Sequence, residues 1–466
     1  MVNTFDPIAP VAVPGLPDRF LWGVATSAYQ IEGAAAEDGR TDSIWDTFTR
    51  EPGAVADRSS GATAADHYHR MPQDVAMIAD LGVDVYRFSV SWPRVQPGGT
   101  GPVNPRGIAF YDRLVDELLG RGVRPWLTLY HWDLPQELED AGGWPARDTA
   151  HRFADYAALV HEALGDRVSD WSTLNEPGVA AVCGYANASH APGRRDFAAS
   201  LDATHHLLLA HGLAAGRLRE NATAPIEVGI TLDLADDVAA STRPEDQEAL
   251  RRWDGFSNCL FLDPLLRGSY PEDVVGRLAR TGHRLPVEDG DLELIAAPVD
   301  VLGVNYYRYD TVAATGQPAG EAGYEQGIRM VDTGLPRTAM GWNIVPDGLE
   351  RILLRLSREY PGTPLVVTEN GAAFDDTVAG DGAVHDVRRT AYLRDHIAAV
   401  ARARAAGADV RGYFAWSLMD NFEWAEGYRK RFGLIRVDYA TQQRIIKDSA
   451  HWYRETIRLS RGDRGR

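Results

Sequence analysis

Lysine is almost missing from this chain: of 48 basic residues only Lys430 and Lys447 are not arginine, against 66 acidic residues and a net charge of −18. That balance argues against a polyanion partner, because binding nucleic acid draws on clustered Lys and Arg to displace counterions and no such cluster stands out. The preference for Arg reads as genome base composition. Cysteine is scarce too. Cys183 and Cys259 are too few and too far apart for a disulfide framework or a zinc knuckle, so packed thiols and a reducing compartment are expected. No stretch approaches the roughly 20 apolar residues of a membrane span, and Met1 to Pro17 lacks the basic and apolar regions of a secretory leader. A cytoplasmic location is expected, with a small neutral molecule as partner and neither nucleic acid nor membrane. The acidic surface favours solubility without setting a subunit number.

Also absent is any break in composition or Pro/Ser-rich linker along the 466 residues, which are 44% hydrophobic and 24% charged. A prior of roughly 150 residues per domain would give about three domains, but closed α/β barrels exceed it as single units. One domain over residues 14–460 is expected, with 1–13 and 461–466 as loosely held tails.

What the chain does contain is a recurring pair of patterns. Short β-branched or aromatic runs occur at Phe20–Trp22, Val85–Trp92, Pro125–Trp132, Asp170–Glu176, Ile226–Leu234, Val301–Tyr307, Leu365–Glu369 and Tyr413–Leu418. Between them lie stretches with apolar residues three and four apart: Gly107–Arg121, Ala150–Leu164, Ala199–Asn221, Pro346–Tyr360 and Asp386–Ala406. Alternation of this kind indicates a parallel sheet, and eight such units indicate an α/β fold of the (β/α)8 TIM-barrel type. In that fold reactive side chains sit at the carboxyl ends of strands. Polar and aromatic residues do appear there: Gln30, Arg87, His131 and Trp132, Asn175 and Glu176, Asn305 and Tyr307, Glu369, and Trp416. The fifth run, ending near Asp233, offers no sharp candidate. Two long connections poor in regular pattern, Gly178–Asp196 and Tyr309–Trp342, would overhang the same rim.

Two segments stand out. Ser172-Thr173-Leu174-Asn175-Glu176-Pro177 and Leu365-Val366-Val367-Thr368-Glu369-Asn370-Gly371 each run an apolar strand into a Glu that touches Asn. Splitting a glycosidic bond takes two carboxyl groups on opposite sides of one anomeric carbon, and strand ends hold such groups well. A lone Glu there would be read as a salt-bridged rim carboxylate. A pair, each beside hydrogen-bonding neighbours, is better read as chemistry, since a buried carboxylate is costly without partners.

With these segments and two more, Phe20-Leu21-Trp22-Gly23-Val24-Ala25-Thr26-Ser27-Ala28-Tyr29-Gln30-Ile31-Glu32-Gly33 and Trp416-Ser417-Leu418-Met419-Asp420-Asn421-Phe422-Glu423-Trp424-Ala425-Glu426-Gly427-Tyr428, the chain resembles glycoside hydrolase family 1, the β-glucosidase family, from about Pro17 to about Arg458. The resemblance implies that Glu369 is a nucleophile forming a covalent glycosyl-enzyme and Glu176 the acid/base, with retention of configuration. It needs the carboxyl groups about 5–5.5 Å apart. Like charges that close cannot both ionise cheaply, so the acid should hold its proton while Glu369 stays charged. Arg87 and Tyr307 are expected to hold Glu369. By the same resemblance Gln30, His131, Asn175, Glu423 and Trp424 bind glycone hydroxyls, Trp416 is the stacking floor, and Trp342 is an aglycone platform whose alternative is a core Trp. Trp132, Asn305 and Phe432 complete the expected substrate-binding set. Tyr185, Asn187 and His190 are loop residues that could reach the aglycone.

Relatives that cleave 6-phosphorylated sugars carry Ser where this chain has Glu423 and Tyr where it has Phe432, beside a Lys that here is Lys430. At about 4 Å and an effective dielectric near 20, a like-charge contact costs on the order of 4 kcal/mol. An unphosphorylated glycone is expected. The implied function is an exo-acting β-glucosidase on short oligosaccharides or aryl and alkyl glucosides, with side activity on β-galactosides and β-fucosides. Alternatives are a transglycosylase using the same intermediate and a silent carbohydrate-binding barrel. No cofactor or metal is expected: His67 and His69 lack a carboxylate or third His at a completing spacing. His205, His206 and His211, on an apolar helical pattern, read as structural, and Asn221-Ala222-Thr223 matches a glycosylation acceptor only nominally.

Overall fold

The computed structural model describes residues 8–316 and 327–462. Residues 1–7 and 463–466 of the expected tails, and 317–326 of the second long connection, lie outside the described residues. Eight strands form one closed parallel barrel: β1 Leu21–Ala25, β2 Val85–Ser89, β3 Arg124–Tyr130, β4 Asp170–Asn175, β5 Glu227–Asp233, β6 Val301–Asn305, β7 Leu365–Asn370 and β8 Val410–Trp416. Each pairs with the next in chain order, and β8 closes onto β1 with Leu21 opposite Gly412 and Ala25 opposite Trp416. The expected (β/α)8 barrel is therefore the fold. Its strands are buried along nearly their whole length, which is why they read as continuous apolar runs and not as alternations.

The barrel interior is layered. Val85, Trp126, Val301, Val366 and Phe414 pack together, with Leu21 against them, as an apolar plug. Two residues on, on the same face of their strands, stand Arg87 above Val85 and Trp416 above Phe414. The plug excludes water from below, and the chemistry sits on top of it. Both Glu-bearing strands lose regular register as they end. On β4 the break against β5 lies between Ser172 and Asn175; on β7 it lies between Val367 and Glu369 against β6 and between Val367 and Asn370 against β8. A local break in register re-aims the side chains that follow it. Just past β7, a Cβ on Gly371 would come 1.7 Å from the Trp416 carbonyl oxygen, so only glycine lets the two strand ends meet there.

The five anticipated helices form as Pro105–Gly120, Asp148–Leu164, Phe197–Asn221, Pro346–Glu359 and Val387–Ala405. Pro105 opens the first of these, where its missing N–H costs nothing, and the Asn104 side chain accepts from the Arg106 N–H. Its buried face of Phe110, Tyr111, Leu114, Val115 and Leu118 packs on the core. His67–Asp80, Leu260–Arg267, Glu272–Arg280 and Asp448–Ser460 are further helices.

Three expectations change. The connection Gly178–Asp196 is not patternless: helix Pro177–Ala181 starts immediately after Glu176 and passes into a π-helical turn at Val182–Ala186. The connection Tyr309–Trp342 contains strands Thr311–Ala314 and Ile328–Met330, which join Val238–Ala239 in a small sheet. Strands of two to four residues are too short for a period to announce them, and one of the two pairings reaches 73 residues along the chain. Residues 8–13 are also less loose than a tail would be. Val13 N–H donates to Ser460 Oγ at 3.0 Å, and Trp452 Nε1 to the Ala9 carbonyl at 3.4 Å.

Candidate active site

Glu176 and Glu369 line one cavity of about 380 Å³ at the carboxyl end of the barrel. Beneath them runs a chain of hydrogen bonds from four strands, β2, β4, β6 and β7. Arg87 donates through Nη1 to Glu369 Oε1 at 2.5 Å and through Nη2 to Asn175 Oδ1 at 2.7 Å. Asn305 Nδ2 donates to the same Asn175 oxygen at 3.1 Å and to Glu176 Oε1 at 2.6 Å. Asn305 Oδ1 in turn accepts from Thr368 at 2.8 Å, so its amide is fixed from both ends. Tyr307 completes the set by donating its hydroxyl to Glu369 Oε2 at 2.8 Å. Each oxygen of Glu369 thus meets a different donor.

The two carboxyls sit in different fields. Burial pushes both up from the ordinary carboxylate range. Against that, Glu369 has the Arg87 guanidinium first, then the Arg87, Tyr307 and Asn305 hydrogen bonds. Glu176, after burial, is raised further by the charges of Glu369 and then Asp233, with Asn305 and Arg87 opposing more weakly. Glu369 therefore gives up its proton first and Glu176 keeps its own well above the usual range. This asymmetry provides one carboxylate able to attack and one carboxylic acid able to donate.

Much of the remaining wall is aromatic. Trp132 and Trp424 meet with ring centroids 4.6 Å apart, and His131 lies nearly parallel to Trp416 at 5.8 Å. Tyr307, Trp342 and Phe432 form a second group, 5.5 to 6.2 Å apart. Trp342 belongs to the cavity wall and not to the barrel core. Trp132, Glu176 and Trp424 all have positive φ, at 76°, 48° and 46°. Non-glycine residues are held in that left-handed region only at a cost of order 1–3 kcal/mol each, and such residues cluster at functional sites.

Of the residues singled out by sequence, His131, Trp132, Glu176, Tyr307, Trp342, Glu369, Trp416, Glu423, Trp424 and Phe432 line the cavity. Arg87, Asn175 and Asn305 stand one layer below and hold those that do. Gln30 is likewise behind the wall: its amide donates to Asn421 Oδ1 at 3.0 Å and the Phe422 carbonyl at 2.8 Å, reaching Glu423 Oε2 only at 3.5 Å. Burial pulls the His131 ring well below its ordinary value, so it is neutral, with Nε2 3.1 Å from Asn175 Nδ2. Burial also pushes Glu423 up to about 8, with Glu369 and Glu426 adding repulsion. Of the loop residues, His190 reaches the cavity, Asn187 lines a neighbouring one, and Tyr185 is buried against Glu139 at 2.6 Å. His67 and His205 bond Asp74 and Asp291, each at 2.8 Å, and His211 bonds Thr173 at 2.7 Å, away from the cavity.

Sequence reasoning passed over Asp233 and Arg308, an ion pair at 2.6 Å in the wall beside Glu176. The signal was there: Asp233 ends β5 opposite Asn305 in the barrel register, the place where the fold puts functional groups. Val179, Cys183, Ser189, Met340, Ala425 and Glu426 complete the lining.

Against known proteins, the family model described as glycosyl hydrolase family 1 matches residues 14–461. A thermostable β-glucosidase B from Thermobispora bispora is 54% identical over 95% of this chain and 90% of its own length. A bifunctional β-D-glucosidase/β-D-fucosidase from Bifidobacterium breve is 49% identical over 95% of this chain and 98% of its own. Among solved structures, the psychrophilic β-glucosidase of Micrococcus antarcticus superposes with a TM-score of 0.91 at 50% identity, covering 96% of this chain and 98% of that one. With the barrel, the paired carboxyls and a match from end to end in agreement, the chain belongs to glycosyl hydrolase family 1.

Proposed function

We propose that this protein is a retaining, exo-acting β-glucosidase for unphosphorylated β-D-glucosides, including short oligosaccharides and aryl or alkyl glucosides. The observation that carries the reading is the asymmetry of the pair: Glu369 anchored by Arg87 and Tyr307, and Glu176 kept protonated by burial and two carboxylate neighbours. In the first step the Glu369 carboxylate attacks the anomeric carbon, the bond to the leaving oxygen breaks, and Glu176 gives that oxygen its proton. In the second, Glu176 takes a proton from water, the water oxygen attacks the same carbon, and Glu369 departs with its electron pair. Two inversions leave the β configuration in place.

The glycone is read as lying among His131, Trp132, Trp416, Glu423 and Trp424, with Gln30 orienting Glu423 and Asn175 orienting His131. The leaving group then points past Glu176 toward Trp342 and Met340. The name of the Bifidobacterium relative supports side activity on β-fucosides, and β-galactosides are included on the family resemblance. We read the enzyme as cytoplasmic, with one catalytic unit spanning 14–460, on its composition and scarce cysteine.

The test is Glu369→Gly on an activated aryl β-glucoside with and without azide. Hydrolysis should fall by at least about 10⁴-fold, the scale of losing a covalent nucleophile. Azide should restore turnover and give the α-glucosyl azide. Glu176→Ala should spare the first step with good leaving groups and give the β-azide. Exchange of the two products would reverse the roles, and an unreactive wild type would end the proposal.

A further inference from the structure

Asp233 ends β5, and the barrel register fixes what it faces. The Glu176 N–H donates to the Thr231 carbonyl at 2.9 Å, and the Thr231 hydroxyl turns inward to accept from Arg87 Nη2 at 3.4 Å. Asp233 lies two residues further along the strand, on the same face and one step nearer the mouth. Its register partner is Asn305, whose amide holds Glu176 Oε1 at 2.6 Å. The Asp233 carboxylate accepts from Arg308 Nη2 at 2.6 Å, and this ion pair lines the cavity beside Glu176. The charges of Asp237 and Asp310 also bear on Arg308, and the Asp310 N–H donates to Asp237 at 2.8 Å.

Glu176 is met from several strands. Arg87 acts on it from β2 and Asn305 from β6, while Glu369 on β7 and Asp233 on β5 oppose its ionisation. His131, His190 and Cys183 share the cavity, and burial keeps all three neutral. The Tyr307 hydroxyl is given to Glu369. Glu423, lifted to about 8, holds its proton near neutral pH, and Glu426 is paired with Arg429 at 2.7 Å. Two carboxylates therefore act on Glu176, and the reaction treats them differently. Once Glu369 has bonded to the anomeric carbon, its charge is taken up in an ester until the second step ends. Glu176 is then the ionised group that takes a proton from water, with the Glu369 repulsion gone and Arg87 still present. Asp233 makes and breaks no bond, so its charge stays constant through both steps.

We propose that Asp233, in its ion pair with Arg308, is a positioning residue for the acid/base: its fixed charge favours the protonated Glu176 of the first step and keeps Glu176 basic enough for the second. The inference rests on the β-glucosidase reading and deepens it. Of the pair, the carboxylate is the member that bears on Glu176, since Arg308 is engaged by Asp233, Asp237 and Asp310.

The experiment is Asp233→Asn, which keeps an oxygen for the Arg308 hydrogen bond and removes the charge. The alkaline limb of kcat/KM on phenyl β-D-glucoside reports Glu176 in the free enzyme. The acid limb of kcat on 2,4-dinitrophenyl β-D-glucoside, whose good leaving group makes breakdown of the intermediate the slow step, reports it in the glycosyl-enzyme. Loss of a like charge lets Glu176 ionise more easily, so both limbs should move to lower pH. The move should be roughly half a pH unit or more, part of what one close charge is worth, because Arg308 offsets some of it. Asp233→Glu, which restores the charge, should return both limbs toward wild type. A residue that only supports the wall would lower rates and leave both limbs in place, and that result overturns the proposal. Titration of Glu176 by carboxyl-carbon NMR, its signal assigned by its loss in Glu176→Gln, checks the same displacement in the free enzyme without turnover. An unmoved titration in Asp233→Asn overturns the proposal even where that variant is too slow to profile. A wild type inert toward both glucosides would instead end the β-glucosidase reading, whichever way the titration falls.

Discussion

At Glu423 the charge written in the sequence and the charge carried by the folded chain differ. A carboxylate at that point of the glycone wall argues from sequence against a phosphorylated sugar, at full strength only if it is ionised. Burial first, then Glu369 and Glu426, lift its pKa to about 8, so near neutral pH it holds its proton. Lys430, which could otherwise attract a phosphate, donates to the Ala339 carbonyl at 2.5 Å and lies 3.9 Å from Glu426. Discrimination against a phosphorylated glycone should then depend on pH. A raised carboxyl pKa means the repelling charge is absent below about pH 8 and present above it. The ratio of kcat/KM for 4-nitrophenyl β-glucoside to that for its 6-phosphate should increase between pH 6.5 and 9. It should increase by about tenfold or more, since one like-charge contact is worth on the order of 4 kcal/mol at close range before screening. In Glu423→Gln the ratio should be flat across that range once ionisation of the substrate's own phosphate is taken into account. A wild-type ratio as flat as the variant's would remove Glu423 from this role.

Among the elements, the segment from Ser417 to Gly433 has little regular structure, one 3-10 turn at Trp424–Glu426, and is heavily anchored. It carries Glu423, Trp424 and Phe432, and it rests on a buried network. Lys447 donates to Asp376 at 2.6 Å and Asp420 at 2.8 Å; Arg389 meets Asp376 and Arg431 meets Asp420, each at 2.5 Å. Asp420 also accepts from the Gly433 N–H at 3.0 Å, closing the segment on itself. Removing Lys447 would leave two buried carboxylates with one guanidinium each and one cation short, at a cost of up to about 3–5 kcal/mol. Lys447→Met should lower unfolding free energy by that amount in denaturant titrations. It should also raise KM for aryl glucosides more than it lowers kcat, because the glycone wall loosens while Glu176 and Glu369 stay on their strands. A proportionate fall in kcat with KM unchanged would show that the network supports the fold alone.

The same contrast between strand and segment explains what could be read beforehand. Parallel strands buried on both faces leave apolar runs, and a barrel confines functional groups to one end of them. The ten cavity-lining candidates and the three below them follow from that rule together with four motifs. The rule also pointed to Asp233, which was passed over because no motif surrounds it. Helix His67–Asp80 escaped notice because Pro72 interrupts its pattern, and the small sheet of Val238–Ala239, Thr311–Ala314 and Ile328–Met330 because strands of two to four residues, one of them paired 73 residues away, leave no local period. Gln30 was placed in the cavity by its motif and stands behind it, since its amide is already taken by Asn421 and Phe422.

For the molecule as a whole, stability against pH is governed by two opposed sets of buried carboxyls. Asp74, Asp254 and Asp420 are held below the ordinary range by guanidinium, ammonium or imidazole partners. Their contribution is present above the unfolded pKa near 4 and is lost as the pH falls through their folded values. Asp133 works the other way. It is 1% exposed, and burial lifts it to about 8, with Arg40 and the Ser91 hydroxyl opposing the effect and Glu32 adding to it. Between about pH 4 and pH 8 the folded chain binds this proton and the unfolded chain does not, so stability falls as the pH rises through that window and levels off beyond it. Asp133→Asn keeps the shape and removes the titration. Relative to wild type, the variant should therefore gain stability steadily from pH 5 to pH 8, by a total of a few kcal/mol, since each unit of pKa difference is worth about 1.4 kcal/mol. The two proteins should respond alike below pH 4, where only the first set of carboxyls is being protonated. Denaturant midpoints measured at pH 4, 6 and 8 decide the matter: a difference between variant and wild type that stays constant across those three values would mean that Asp133 is ionised in the folded protein, with Arg40 outweighing its burial.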